Sequence, residues 1–118
     1  MATLRNRVKV FTSTTGTGTI TLGTVVAGFM TFANAGVPST STVRYLIEQG
    51  TDFEIGLGVY TASGTTLSRG VQQSKIGASV GTTPLTLDGS AIVMITATNN
   101  DFALQTALTM IYGMFLLI

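Results

Sequence analysis

The stretch from Asp52 to Ser74, DFEIGLGVYTASGTTLSRGVQQS, decides how the rest of the chain is read. Phe53, Ile55, Leu57 and Val59 alternate onto one face, the period of two that marks a half-buried strand. Ala62-Ser63-Gly64 supplies a turn and Thr65 to Val71 runs back, so the stretch predicts one long β-hairpin with Glu54 on its outward side. Glu54 and Arg69 are then expected to face each other across the hairpin as an exposed pair, stabilising by well under about 1 kcal/mol.

Working outward, the flanking segments read as more short strands. Arg7 to Thr12 sets Val8 and Val10 against Arg7, Lys9 and Phe11, a first strand with one wet face. TSTTGTGT reads as a hairpin loop, after which Ile20 to Leu22 is expected to return antiparallel to the first strand. The Gly-Thr repeat is not a phosphate loop, because no Gly-Lys-Ser/Thr and no helix start follow it. Val25 to Phe32 is apolar enough for a buried strand or a short irregular helix, and NAGVPSTS is a loop. Thr42 to Gln49 is a strand with Val43, Tyr45 and Ile47 on one face and Arg44, Leu46 and Glu48 on the other, and Gly50-Thr51 turns it into the opening hairpin. Lys75 to Thr83 reads as a loop. Pro84 to Leu87 and Ser90 to Thr98 read as a second tight hairpin around Asp88-Gly89.

Composition agrees with an all-β body. At 118 residues the chain fits one domain, with 9% charged and 45% hydrophobic residues, the balance being largely Thr, Ser and Gly. A formal net charge of +1 gives no field that would steer the protein to nucleic acid; Arg5, Arg7 and Lys9 do cluster at the start, where a solvated strand edge is the ordinary explanation. The N-terminus carries no apolar segment of the kind a secretory signal needs.

The run from Phe102 to Ile118 has no charge. It falls short of the roughly 20 apolar residues a membrane span needs. Asn100 or Asp101 could cap a helix, but period two describes the run better, with Phe102, Leu104, Leu108, Met110, Tyr112, Met114, Leu116 and Ile118 on one parity. One or two strands are expected, buried on the chain's own barrel or on a neighbouring subunit. The expected layout is an arm over 1–6, a barrel or sandwich domain over 7–98, and an apolar segment over 99–118.

With no histidine and no cysteine, the commonest general base, metal ligand and thiol nucleophile are missing, and no cofactor or metal site is expected. Glu48, Asp52 and Glu54 lie close in sequence, and glycoside hydrolysis needs a pair of carboxylates, but they flank a turn, an ordinary place for charge. Ser63 and Ser68 have no base to activate them.

A resemblance rests on the following residues: RVKV at Arg7 to Val10, GTGTITLG at Gly16 to Gly23, AGF at Ala27 to Phe29, YLIEQG at Tyr45 to Gly50, FEIGLGVYTASGTTLSR at Phe53 to Arg69, and GSAIVMITA at Gly89 to Ala97. Over about three quarters of its length the chain resembles a module of tailed-phage virion structural proteins. It departs from that pattern at Phe53, often Trp there and expected to be a core position, and at Gly70 to Gln73, where Thr-Val is common. The module is also likened to a β-barrel half-domain of ubiquitin-activating enzymes, which in a chain without cysteine concerns shape alone.

The resemblance implies a non-enzymatic virion protein, foremost a capsid decoration (cement) protein on the head surface that binds the major capsid protein, as a homo-oligomer, foremost a trimer. A module that starts at residue 7 favours a stand-alone role. The other expectations are a tail, neck or fibre-base component and a carbohydrate-binding adhesion module, the last disfavoured by the absence of tryptophan. Membrane and nucleic acid are not expected partners. Expected contacts are Arg5, Arg7 and Lys9 at one end and Met110, Tyr112, Met114, Phe115, Leu116 and Ile118 at the other.

Overall fold

The structure, a computed structural model, describes residues 2–99 and Asp101. Among them the protein is all-β, an antiparallel sheet curled into a half-barrel. The strands are β1 (Lys9–Phe11), β2 (Thr15–Gly16), β3 (Ile20–Thr21), β4 (Thr42–Gln49), β5 (Asp52–Thr61), β6 (Thr66–Leu67), β7 (Gly70–Ile76), β8 (Ser79–Gly81), β9 (Leu87–Asp88) and β10 (Ile92–Ile95). Eight of them form one sheet in the order β1-β10-β4-β5-β6-β3, with β7 on β5 and β8 on β7, while β2 and β9 pair separately.

The longest pairing is β4 with β5, closed by the two-residue turn Gly50-Thr51 with Gly50 at φ 60°. The expected hairpin across residues 52–71 is present and extends further. β5 turns through Ala62 to Thr65, pairs with β6 at Tyr60↔Leu67, then with β7 from Leu57↔Gly70 to Phe53↔Lys75. A bulge between Ile55 and Gly56 leaves Gln72 unpaired on β7.

The face of β5 is the reverse of the expectation. Glu54, Gly56, Gly58 and Tyr60 are buried, whereas Phe53, Ile55 and Leu57 are half-buried and Val59 is exposed. Phe53 is therefore not a core position. The reason is crowding on the concave side: a Cβ on Gly56 would lie 2.6 Å from the Tyr45 hydroxyl, and one on Gly58 would lie 3.0 Å from Leu67 Cδ1, besides striking the backbone of Gly70 and Ser68. Only glycine fits where the returning chain presses this closely on the sheet.

The core lies inside the curl. Val8 and Val10, and Val43, Tyr45 and Ile47, line it as their alternation predicts, joined by Val93 and closed by Ile20, Phe32, Leu67, Leu85 and Leu87. Phe32 and Tyr60 stack with ring centroids 5.3 Å apart.

Several expected pairings differ. Ile20 and Thr21 pair with β6, not β1, whose sheet partner is β10. Asp88-Gly89 is a turn but not a hairpin: β9 pairs with β2, and β10 inserts between β1 and β4. Asp88 Oδ1 accepts bonds from the Ser90 amide and hydroxyl, making a local side-chain turn in place of a two-residue loop. Residues 75–83 are not a plain loop but contain the β7-β8 hairpin around Gly77-Ala78. Val25 to Phe32 is neither strand nor helix; it runs irregularly along the free edge of β1, where Val26 N–H donates to Lys9 O and Met30 N–H to Arg7 O. It thereby covers an edge that would otherwise be open to pairing. The arm is tied down too, since Thr3 N–H donates to Thr42 O at 2.7 Å.

Candidate functional site

Two groups of charged residues stand out, one sealed in the core and one on the surface. The sealed group begins with Glu54, which the strand parity of β5 turns inward, and Arg69, which the tight return after Leu67 brings opposite it. They pair, as expected from the sequence, but in the interior: their side chains are 0% and 2% exposed. The pair cannot be the weak surface contact that was expected. Glu54 Oε2 accepts from the Tyr45 hydroxyl at 2.7 Å and from Arg69 Nε at 3.0 Å, and Oε1 accepts from Arg69 Nη2 and from the Leu85 amide at 2.9 Å. Burial, then the bond to Glu54, pushes the Tyr45 hydroxyl far above the usual phenol range.

Arg69 uses its remaining donors on backbone. Nη2 donates to Leu85 O at 2.7 Å, and Nη1 to Gly16 O at 3.1 Å and Gly18 O at 3.4 Å. The Gly-Thr loop therefore turns carbonyl oxygens inward around a cation, the opposite polarity to an anion cradle. Among the described residues no buried side-chain polar atom lacks a partner. Glu54 is thus saturated and sealed, with no access for a substrate.

The three carboxylates near the turn do not converge. Glu54 points into the core, Glu48 is exposed on the other face of the sheet, and Asp52 Oδ1 accepts from the Gly77 amide at 2.9 Å, closing the β7-β8 turn. Ser68 Oγ accepts from the Val59 amide. Among the described residues no three or more His, Cys, Asp or Glu side chains gather as a metal site, and no helix is long and apolar enough to cross a membrane.

The surface group is the basic cluster. Arg5 and Arg7 are exposed and Lys9 half-buried. The Arg7 guanidinium lies 4.1 Å and the Lys9 ammonium 4.5 Å from the centroid of the Phe29 ring, so the irregular segment along β1 brings both cations onto one aromatic. Arg7 also donates to Gly28 O at 2.9 Å and sits at φ 56°, a left-handed backbone that is uncommon outside glycine. Among the described residues the ion pairs are Arg44–Asp101 and Arg69–Glu54, so none of these three cations is neutralised by a carboxylate there. Phe29 was not singled out from the sequence; the AGF motif placed it, but its register with β1 is a tertiary fact.

A second part-buried pair was not foreseen. Arg44, on the outward face of β4 and only 6% exposed, donates to Asp101 through Nε and Nη2 at 3.3 Å each and through Nη1 to Gln72, the bulge residue of β7. The Asp101 carboxyl is held below the usual carboxylate range by Arg44 first and by the Thr98 amide second. The expected contact residues Met110, Tyr112, Met114, Phe115, Leu116 and Ile118 lie outside the described residues. Comparison with family models, with curated proteins and with solved structures gives no match.

Proposed function

We propose that the protein is a non-enzymatic structural component of a tailed-phage virion, foremost a decoration protein that binds the major capsid protein on the head surface, with the basic edge as its contact. The observation that carries this reading is the cluster of Arg5, Arg7 and Lys9, unneutralised among the described residues and presented on Phe29, at the edge of a small, internally satisfied β-body. Such a patch suits an acidic protein surface, because two cations fixed on a ring lose less freedom on binding than free side chains do. Holding Arg7 at a positive φ costs on the order of 1 kcal/mol or more, which the fold sustains at this position although glycine would relieve it. The resemblance of residues 7–97 to phage virion modules supplies the kind of assembly.

Arg7→Gly tests the reading without confounding it with stability. Glycine accepts φ 56° freely, which offsets the loss of the exposed Arg7 contacts with Gly28 O and Phe29, so the variant should fold with stability close to that of the parent while binding purified heads less tightly, with a shallower dependence on salt. Unchanged binding at low ionic strength would remove the basic edge from the contact. Densitometry of purified virions separates head from tail: hundreds of copies per particle fit decoration, whereas a small number set by tail symmetry fits the tail, neck or fibre-base alternative.

A further inference from the structure

The outward face of the sheet holds more apolar surface than the described chain covers. The register sets Met94, Leu46 and Ile55 side by side across β10, β4 and β5, with Phe53 and Leu57 above and below, and all five are only half-buried. The core does not use them. Arg44, the charged residue on β4 between Thr42 and Leu46 on this face, is already neutralised by Asp101.

The path of the chain points to what covers this face. After Ile95 it runs one residue further beside β4, where Thr96 N–H donates to Arg44 O in the register of the β10-β4 pairing. Ala97, Thr98 and Asn99 then border a shallow depression together with Ile55, Gln72 and Gln73, so the chain has already reached β5 and β7 on their outer side. There the Arg44–Asp101 pair fixes it, and the Asp101 carboxylate accepts from the Thr98 amide at 2.9 Å. Seventeen residues follow, 102–118, without a single charge.

We propose that the outward apolar face of β10, β4 and β5 is the docking surface for residues 102–118 of the same chain, with Arg44–Asp101 as the anchor that starts the segment across it. The centre of this face is apolar and its one central cation is already paired, with Lys9, Glu48 and Lys75 at the rim beside Met94 and Phe53, so it matches an uncharged segment, and burying both removes apolar area from water that would otherwise favour aggregation. The segment begins on this face, so docking there needs no long loop to be closed. This inference does not depend on the decoration reading, whose contact is the basic edge on β1.

The chain has no cysteine, which makes crosslinking a clean test. In the full-length chain, Ile55→Cys is combined in turn with Leu104→Cys, Leu108→Cys and Tyr112→Cys, and each is oxidised at low concentration. At least one pair should close within a chain, giving a monomer that migrates faster on a non-reducing gel. Disulfide-linked dimers from all three pairs would overturn the proposal in favour of a second copy on this face, and the absence of any crosslink would overturn it outright. Should the variants lose the β-sheet signal in circular dichroism, the unsubstituted protein gives the answer. Peroxide oxidation of Met94, followed by peptide mass spectrometry on monomer isolated by gel filtration, should run at least several-fold slower than that of free methionine. Oxidation at the free rate would mean the face is bare. Head binding measured on a crosslinked monomer keeps this result separate from the proposed function.

Discussion

The two faces of β5 run along the same ten residues and are built by opposite rules. The outward face, Phe53, Ile55, Leu57 and Val59, is continuous hydrocarbon that remains only partly covered; the inward face, Glu54, Gly56, Gly58 and Tyr60, has a carboxylate and two absent side chains, yet it is the one in the core. Burial there follows shape and hydrogen bonding before hydrophobicity. The glycines are inward because the backbone at Ser68 and Gly70 and the Tyr45 ring occupy the space a side chain would need. Glu54 is inward because Arg69, Tyr45 and the Leu85 amide together satisfy both of its oxygens. What the inward face loses in transfer free energy it recovers as specificity: Arg69 joins β5 to the loops at Gly16, Gly18 and Leu85, segments far apart in sequence.

The sharpest way to break this comparison is to unpair the sealed charges. Arg69→Met leaves Glu54 buried without its cation and frees three loop carbonyls, and should cost about 3–5 kcal/mol by urea denaturation. Adding Glu54→Gln to the same chain should recover part of that loss, since the stranded charge goes with it. If Arg69→Met costs no more than about 1 kcal/mol, the pair is a surface contact after all.

A smaller effect compares the faces directly. Gly56→Ala and Gly58→Ala each add one methyl group inward and should destabilise by about 2–3 kcal/mol, because the opposing atoms are backbone or tightly held rings that cannot yield. Val59→Thr, on the exposed end of the outward face, should stay within about 0.5 kcal/mol. Equal melting shifts from the two faces would contradict the assignment of inside and outside.

The smallest effect concerns the outward anchor. The Asp101 carboxyl titrates below its unfolded value near 4, so its contribution to stability is fully present above that pH and is lost as pH falls through the lowered folded value. Stability of the parent should therefore drop more steeply below about pH 4 than that of Asp101→Asn, read from melting temperature across the acid range. Parallel curves would mean the Arg44 contact is not formed in solution.

Much of this was legible in the residues. Val8 and Val10, and Val43, Tyr45 and Ile47, face the core as their alternation requires, and the turn at Ala62 to Gly64 and the partnership of Glu54 with Arg69 could be read from hairpin spacing. The basic cluster was legible only as three cations; that two of them meet on Phe29 depends on an irregular segment whose apolar residues carry no clear period. Ile20 and Leu87 were read with the wrong partners because two-residue strands hold too little pattern to name one, and sequential neighbours are only the default choice.

By itself, the sequence determined that this is an all-β chain of short strands and tight turns, since β-branched residues, glycines and period two are local properties. Which parity of β5 faces inward was decided only by the tertiary structure. Alternation separates two faces without labelling them, and the label came from the chain returning over Gly56 and Gly58 and from the partners waiting for Glu54.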